Sequence, residues 1–220
     1  IKTMIKLLAN NYMYLQLIPV VMGLIVIPRL EVIYRYFVLL LFYSFINDLF
    51  AGYYADYISV KGVNMILFNI FNFVLFSFLF WLFYKKSNNK SSKTTIIGLV
   101  ILYILSINYE LIVGKVDYHT KTQVIPYIIG GVGVIICVFQ YFIAILNSEK
   151  TIHIYNNMLF WIAIAHFMYY VVFIPFKYGE NFFSNPEILK GYLNFKIGAT
   201  VIKGILLSIG FIWTTRRKVV

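Results

Sequence analysis

The chain has 220 residues, of which 61% are hydrophobic, 20% aromatic and 12% charged, with a formal net charge of +11 at pH 7. Soluble domains carry about 25% charged residues, so this composition excludes a soluble globular protein, which needs more polar surface. The basic residues lie in short loops and near the carboxyl end. The positive-inside rule and attraction to anionic lipid explain this distribution, so we do not expect nucleic-acid binding.

Seven apolar stretches are long enough to cross a bilayer, since a spanning helix needs about 20 mostly apolar residues. They are Leu7–Ile27, Tyr34–Ala55, Val63–Tyr84, Ile96–Val113, Ile125–Leu146, Met158–Phe176 and Phe195–Trp213. The sequence therefore predicts an all-α protein, a single transmembrane domain of seven helices over residues 1–220. Pro19 predicts a kink in the first helix. That stretch lacks a small-residue cleavage motif, so we expect no cleavable signal peptide.

The loops predict the orientation of the chain. The most polar segment, KKSNNKSSKTT at 85–95, is predicted to be a solvated loop. The last connection contains Asn185 and Pro186, a pair that favours a turn and a helix start. The densest basic clusters, at 85–93 and 216–218, fall on the same side of the predicted helices. The positive-inside rule then places the amino terminus outside and the carboxyl terminus inside.

An internal repeat is one interpretation of two similarities. The motif Q-x-I-P-x-x-x-G occurs at 16–23 and again at 123–130, and LFSFLF at 75–80 resembles LLSIGF at 206–211. These pairs fit a 3+1+3 arrangement with parallel repeats, which some transporters have. Chance similarity is common in apolar sequence, so the alternative of no duplication stays open.

Lys203 lies near the middle of the last stretch, where a lysine costs roughly 2.5–3.5 kcal/mol on insertion scales. From the helical rise, Lys203 lies about 12 Å from the outer end of its helix and Asp48 about 10 Å from its own. Further polar residues fall at similar depths: Gln16, Asn69, Asn72, His166, Tyr169 and Tyr170. Polar groups inside a bilayer must face one another or water. The sequence therefore predicts a polar layer or ligand pocket in the outer half of the protein.

Each of these residues has a structural and a functional interpretation. Asp48 and Lys203 are either a structural ion pair or part of a ligand or ion site; the third interpretation, a lipid-facing Lys203 that snorkels to the interface, is disfavoured by its depth. Asn69 and Asn72 either hold helices together by hydrogen bonds or contact a ligand. His166 is either a packed, satisfied histidine or a proton relay or pH switch.

No set of residues predicts catalysis or a metal site. There is no Ser–His–Asp set, no paired carboxylates and no metal-ligand spacing, and His166 has no acid nearby in sequence, so an enzyme is the weakest interpretation. Gly130, Gly131 and Gly133 predict close helix packing rather than a phosphate loop. Glu110, three residues from the end of the fourth stretch, is expected to be exposed at the membrane interface.

Seven helices with an external amino terminus and a lysine in the last one superficially resemble the microbial rhodopsins. That family attaches retinal to this lysine and usually carries an acid one turn before it and another in the third helix. Here Ala199 precedes Lys203 by one turn, and the third stretch has neither acid nor arginine, which leaves only Asp48 as a counter-ion. These departures argue against retinal on Lys203, and we expect no cofactor.

A closer resemblance covers most of the chain. Its features are Asp48 late in the second stretch, FNIFNFVLF at 68–76, LFW at 159–161, and the lysine before GILLSIGF at 204–211. In these features the chain resembles small seven-helix membrane proteins of Bacteroidota. The resemblance implies a bacterial inner (cytoplasmic) membrane and implies no reaction.

Three functions stay open for this membrane-embedded chain. The first is a sensing or signalling module that binds a small ligand in the polar layer; with almost no soluble part, it needs a membrane or cytoplasmic protein partner for its output. The second is a small-solute transporter of 3+1+3 type, whose helix breaks would lie at Pro19 and Pro126. The third is a structural or accessory subunit of a larger membrane complex.

Overall fold

The computed structural model describes residues 14–53, 63–147, 154–179 and 186–215, which form helices and their connections and include no strand. The helices are α1 (Leu17–Val26), α2 (Val32–Tyr53), α3 (Val63–Lys86), α4 (Lys90–Ile112), α5 (Ile125–Leu146), α6 (Met158–Gly179) and α7 (Pro186–Thr215). A 3-10 turn, Ile27–Arg29, follows α1. The prediction of an all-α protein with seven apolar helices is confirmed.

Six of these helices contain a segment long and apolar enough to cross a membrane. The segments are Val32–Ala51, Met65–Lys86, Lys90–Ile112, Ile125–Leu146, Met158–Gly179 and Ile197–Thr215. α1 belongs to a shorter apolar helix, Leu17–Arg29, and the predicted span before it, residues 7–13, lies outside the described residues. Ile101, Leu105 and Ile112 of α4 are each more than half exposed and share one face, as lipid-facing side chains do. The chain is a multi-pass integral membrane protein.

The segment predicted as a loop at 85–95 is mostly helical. α3 ends at Lys86 and α4 begins at Lys90, so only residues 87–89 connect them. The side chain of Asn89 accepts a hydrogen bond from the amide of Ser91 at 2.9 Å and caps α4. Thr94 donates to the carbonyl of Lys90 at 3.1 Å. The loop prediction is wrong because a capping Asn and helix-bonded hydroxyls let a polar stretch continue as helix.

Four of the five prolines occupy three kinds of position. A turn at Gln16 interrupts the helix one turn before Pro19, where a proline removes a helical hydrogen bond. Pro126 is the second residue of α5 and Pro186 the first of α7, where the missing N–H costs nothing. Pro175 lies inside α6. Pro126 therefore starts a helix and does not break one.

By their internal contacts the residues form two compact units. Unit 1 comprises Ile1–Phe45 and Ile143–Val220, and unit 2 comprises Ile46–Phe142. In unit 1, α7 packs along α6 and α1, and in unit 2, α3 packs against α4. The units do not follow the boundaries of the 3+1+3 repeat, which stays a prediction.

Glycines in α5 allow a close approach to α3 within unit 2. A Cβ on Gly130 would stand 2.8 Å from the ring of Phe76, and one on Gly133 would stand 2.8 Å from the ring of Phe80. Both rings are buried. The predicted role of Gly130 and Gly133 in close helix packing is confirmed.

We expect Gly130→Ala to destabilise the protein by about 1–3 kcal/mol, because the buried ring of Phe76 leaves no room for a methyl group. Gly98→Ala in α4 is the matched control, since a Cβ there meets nothing within 4 Å, and alanine favours a helix by roughly 0.5–1 kcal/mol over glycine. The stability of both variants is measured by SDS-induced or thermal unfolding in detergent. Equal stability of the two would contradict the close packing of α3 and α5.

Candidate functional sites

α6 places His166 in the interior of unit 1, where the side chain is 2% exposed. Its ring meets Phe37 edge-on at 5.9 Å between centroids and lies 6.1 Å from the ring of Tyr170. Its Nδ1 lies 2.8 Å from the carbonyl oxygen of Ile162, one turn earlier. Since a carbonyl oxygen only accepts, Nδ1 carries a hydrogen, and in a neutral ring Nε2 would then be the acceptor.

Lys203 of α7 contacts the same part of α6. Its Nζ lies 4.5 Å from the ring centroid of Tyr169, a cation–π contact. The Tyr169 ring stacks on the Phe173 ring with 5.1 Å between centroids, and it meets the Tyr170 ring edge-on with 5.4 Å between centroids. Unit 1 therefore brings together four of the predicted polar residues, and we name them the α6–α7 cluster: His166, Tyr169, Tyr170 and Lys203.

An apolar groove of about 270 Å³ opens between α6 and α7 beside this cluster. Its lining residues are Met168, Val172, Phe195, Gly198, Ala199 and Ile202. Met168 directly precedes Tyr169 and Ile202 directly precedes Lys203, so the groove and the cation–π contact occupy adjacent faces of the same two helices. Met168 and Ile202 are 41% and 44% exposed, which leaves the groove open at the surface.

Gln16 is half-buried at the turn before α1. One turn further on, ring atoms of Pro19 stand 3.8 Å from the position of a Cβ on Gly204. Because Gly204 follows Lys203 directly, α1 crosses α7 at the level of the α6–α7 cluster.

The other three predicted residues lie in unit 2. Asp48 and Asn72 are half-buried on α2 and α3, and Asn69 is buried on α3. The pairing of Asp48 with Lys203, and a single polar layer that joins all eight residues at one depth, stay predictions.

Asn69 fastens the connection between α4 and α5, residues 113–124. Its Nδ2 donates to the carbonyl oxygens of Tyr118 at 3.0 Å and Lys121 at 2.9 Å. Its Oδ1 accepts from the amide of Gln123 at 2.9 Å, and the Gln123 side chain donates back to the Asn69 carbonyl at 2.9 Å. The amide of Asn69 therefore holds a loop in place.

Glu110 fastens the same connection from α4. Its carboxylate accepts from the hydroxyl of Tyr118 at 2.8 Å and from the amides of Val124 and Ile125 at 3.0 and 3.1 Å. The two amides belong to the start of α5, so Glu110 caps that helix from a distance and places negative charge at its amino-terminal end. Glu110 is only 4% exposed. The expectation that it is exposed is wrong, because the loop folds back over the end of α4.

No protein-family model, no curated protein and no solved structure matches this chain. The resemblance to small seven-helix proteins of Bacteroidota and the inner-membrane location therefore stay predictions. Within residues 14–53, 63–147, 154–179 and 186–215, no group of three His, Cys, Asp or Glu residues is placed to hold a metal ion.

Sequence reasoning missed both the loop network of unit 2 and the groove of unit 1. A signal for the first was present: an acid late in one span, followed by a glutamine and a proline at the start of the next, as Glu110, Gln123 and Pro126 are. The signal for the groove was weaker. Gly198 and Ala199 leave little side-chain volume one turn before Lys203, but which helix faces them depends on packing.

We expect Glu110→Gln to lower the stability of the protein by about 1–3 kcal/mol, because the amide offers one accepting oxygen where the carboxylate offers two. Asp117→Asn is the matched control in the same loop, since the hydrogen bonds of Asp117 to His119 and Thr120 are exposed. SDS-induced unfolding measures stability, and limited proteolysis between 113 and 124 reports release of the loop. If both variants behaved alike, Glu110 would not be the anchor.

Burial, followed by the hydrogen bond to Glu110, raises the pKa of the Tyr118 hydroxyl above its ordinary value. The folded protein keeps this proton where the unfolded chain loses it, so the contribution of Tyr118 to stability is full below about pH 10 and falls above it. Tyr118→Phe removes this titration. We expect melting temperatures in detergent to fall more steeply for the wild type than for the variant between about pH 10 and 11. Parallel slopes would show that the hydroxyl is solvated.

Proposed function

We propose that this multi-pass membrane protein is a sensing module that binds a small amphiphilic ligand in unit 1 and transmits the binding to a protein partner. The supporting observation is the apolar groove between α6 and α7 with Lys203 at its side. An apolar groove next to a cation is complementary to a molecule with an apolar tail and an acidic head.

The groove would hold the apolar tail of such a ligand. Its volume of about 270 Å³ is near the lower end of ligand pockets, which run from about 300 to 1,000 Å³. Its lining is almost wholly apolar and it opens at the surface of spanning helices, so a hydrocarbon chain can enter it from the lipid. The small side chains of Gly198 and Ala199 supply the space.

The α6–α7 cluster would bind the acidic head of the ligand. A carboxylate at the side of the groove gains a charge-assisted hydrogen bond from Lys203, and the hydroxyl of Tyr169 is a second donor. Lys203 already lies over the Tyr169 ring, so an incoming acid moves a charged group that contacts α6. A shift of α7 relative to α6 is the signal that a partner protein would read.

A structural or accessory subunit is the alternative, and the network in unit 2 favours it. There the polar side chains of Asn69 and Glu110 are occupied by loop backbone, as in a purely structural role. The small-solute transporter is supported less, because Pro126 begins α5 and supplies no helix break.

Binding of oleate and of oleyl alcohol to the purified full-length protein tests the proposal, by native mass spectrometry and thermal shift in detergent. We expect Lys203→Met to weaken oleate binding about tenfold or more, the effect of one charged hydrogen bond, with no change for the alcohol. Lys203→Arg keeps the charge and should retain oleate binding. Gly198→Leu should abolish binding of both molecules by filling the groove.

Gly98→Leu in α4 is the matched control for Gly198→Leu, because neither glycine has an atom within 4 Å of its Cβ position. If the wild type bound neither molecule, or if Lys203→Met bound oleate as tightly as the wild type, the ligand proposal would be wrong. Absence of binding together with reduced stability of Lys203→Met would support a structural role, as in the accessory-subunit alternative.

A further inference from the structure

The turn between α3 and α4 gathers positive charge at one end of unit 2. Lys85 and Lys86 end α3, Lys90 lies at the start of α4, and Lys93 follows within its first turn. The sequence contains no Asp or Glu from 57 to 109. The local sequence around these four lysines is therefore basic, and we name them the lysine turn.

Aromatic side chains border the lysine turn on the membrane side. The Nζ of Lys93 lies 5.3 Å from the ring centroid of Tyr84, so α3 and α4 hold this ammonium between them. Trp81 lies about one turn before Lys85 and is 39% exposed. Tryptophan and tyrosine followed by lysines at the end of a span are typical of the interface between hydrocarbon and headgroups.

The start of α4 adds to the positive potential. Asn89 caps the helix through the amide of Ser91, and the other amides of the first turn, with the positive end of the helix dipole, face the same turn. Below this turn, Ile97 and Ile101 are 49% and 52% exposed. They lie four and eight residues after Lys93, on the same side of the helix.

We propose that the lysine turn binds the phosphate headgroups of anionic phospholipids, with the acyl chains along the exposed isoleucines of α4. A lipid is the partner because the turn joins two spanning segments, Met65–Lys86 and Lys90–Ile112, directly. Its lysines therefore stand at the depth of the headgroups. This site is independent of the ligand proposed for unit 1.

Native mass spectrometry of the full-length protein with phosphatidylglycerol and phosphatidylcholine of equal chain length tests the site. We expect the wild type to prefer phosphatidylglycerol and the preference to weaken as salt rises. Lys90→Gln with Lys93→Gln should lower affinity for phosphatidylglycerol about thirtyfold, the effect of two lysines near a charged surface. Arginine at both positions should retain it. Lys115→Gln with Lys121→Gln, two exposed lysines of the same unit, is the matched control.

Three results would overturn this proposal. One is an equal loss in the control pair, which would mean diffuse attraction to positive charge. Another is displacement of the lipid by free glycerol phosphate or a short oligonucleotide at equal concentration, which would indicate a soluble polyanion. The third is binding of phosphatidylglycerol by the wild type that does not depend on salt. Because the salt dependence is measured on the wild type, it tests the proposal even if the Lys90→Gln, Lys93→Gln variant does not fold.

Discussion

The bilayer core offers no water to a polar group, so polar atoms that enter it must find partners within the protein. This constraint explains the hydrogen bonds of the buried polar side chains Glu110 and Asn69 in unit 2. Glu110 is an acid at the end of a span, and three donors from the following loop and helix surround it. Asn69 is an amide inside another span, and the backbone of the same loop meets both ends of its side chain. The loop at 113–124 is ordered because two buried side chains require it.

The same constraint acts on Lys203 with a different result. An ammonium within a spanning segment is stabilised where electron-rich groups surround it, and the face of Tyr169 supplies one such group. His166 satisfies its own Nδ1 on the helix backbone and so does not depend on a distant partner for that atom. The polar groups of the α6–α7 cluster thus lie beside an open groove, whereas Asn69 and Glu110 of unit 2 are covered by a loop. This difference is the physical reason for proposing a ligand in unit 1 alone.

The sequence predicted the existence of the helices well and their ends less well. α5 has the predicted bounds, Ile125–Leu146, because a proline marks its start. α4 and α7 begin six and nine residues before their predicted starts, because hydropathy locates the part of a helix inside lipid and is silent about the hydrogen-bonded turns beyond it. Among site residues, His166 and Tyr170 are four apart, a spacing that places them on one face of a helix. The contact of Lys203 with Tyr169 and the capping of α5 by Glu110 depend on how helices and a loop pack, which no local pattern encodes.

Depth in the membrane decides what each lysine of this chain can do. A lysine within a span lies away from bulk water, so a molecule that reaches it from the lipid needs both a counter-charge and apolar surface. A lysine at the end of two spans, as in the lysine turn, meets headgroups that carry the counter-charge and hold it at a fixed height. The two proposals therefore assign the same type of side chain a mobile amphiphile at one depth and the bulk anionic lipid at another. Because salt screens exposed charges much more than buried ones, ionic strength is expected to distinguish the two proposed kinds of binding.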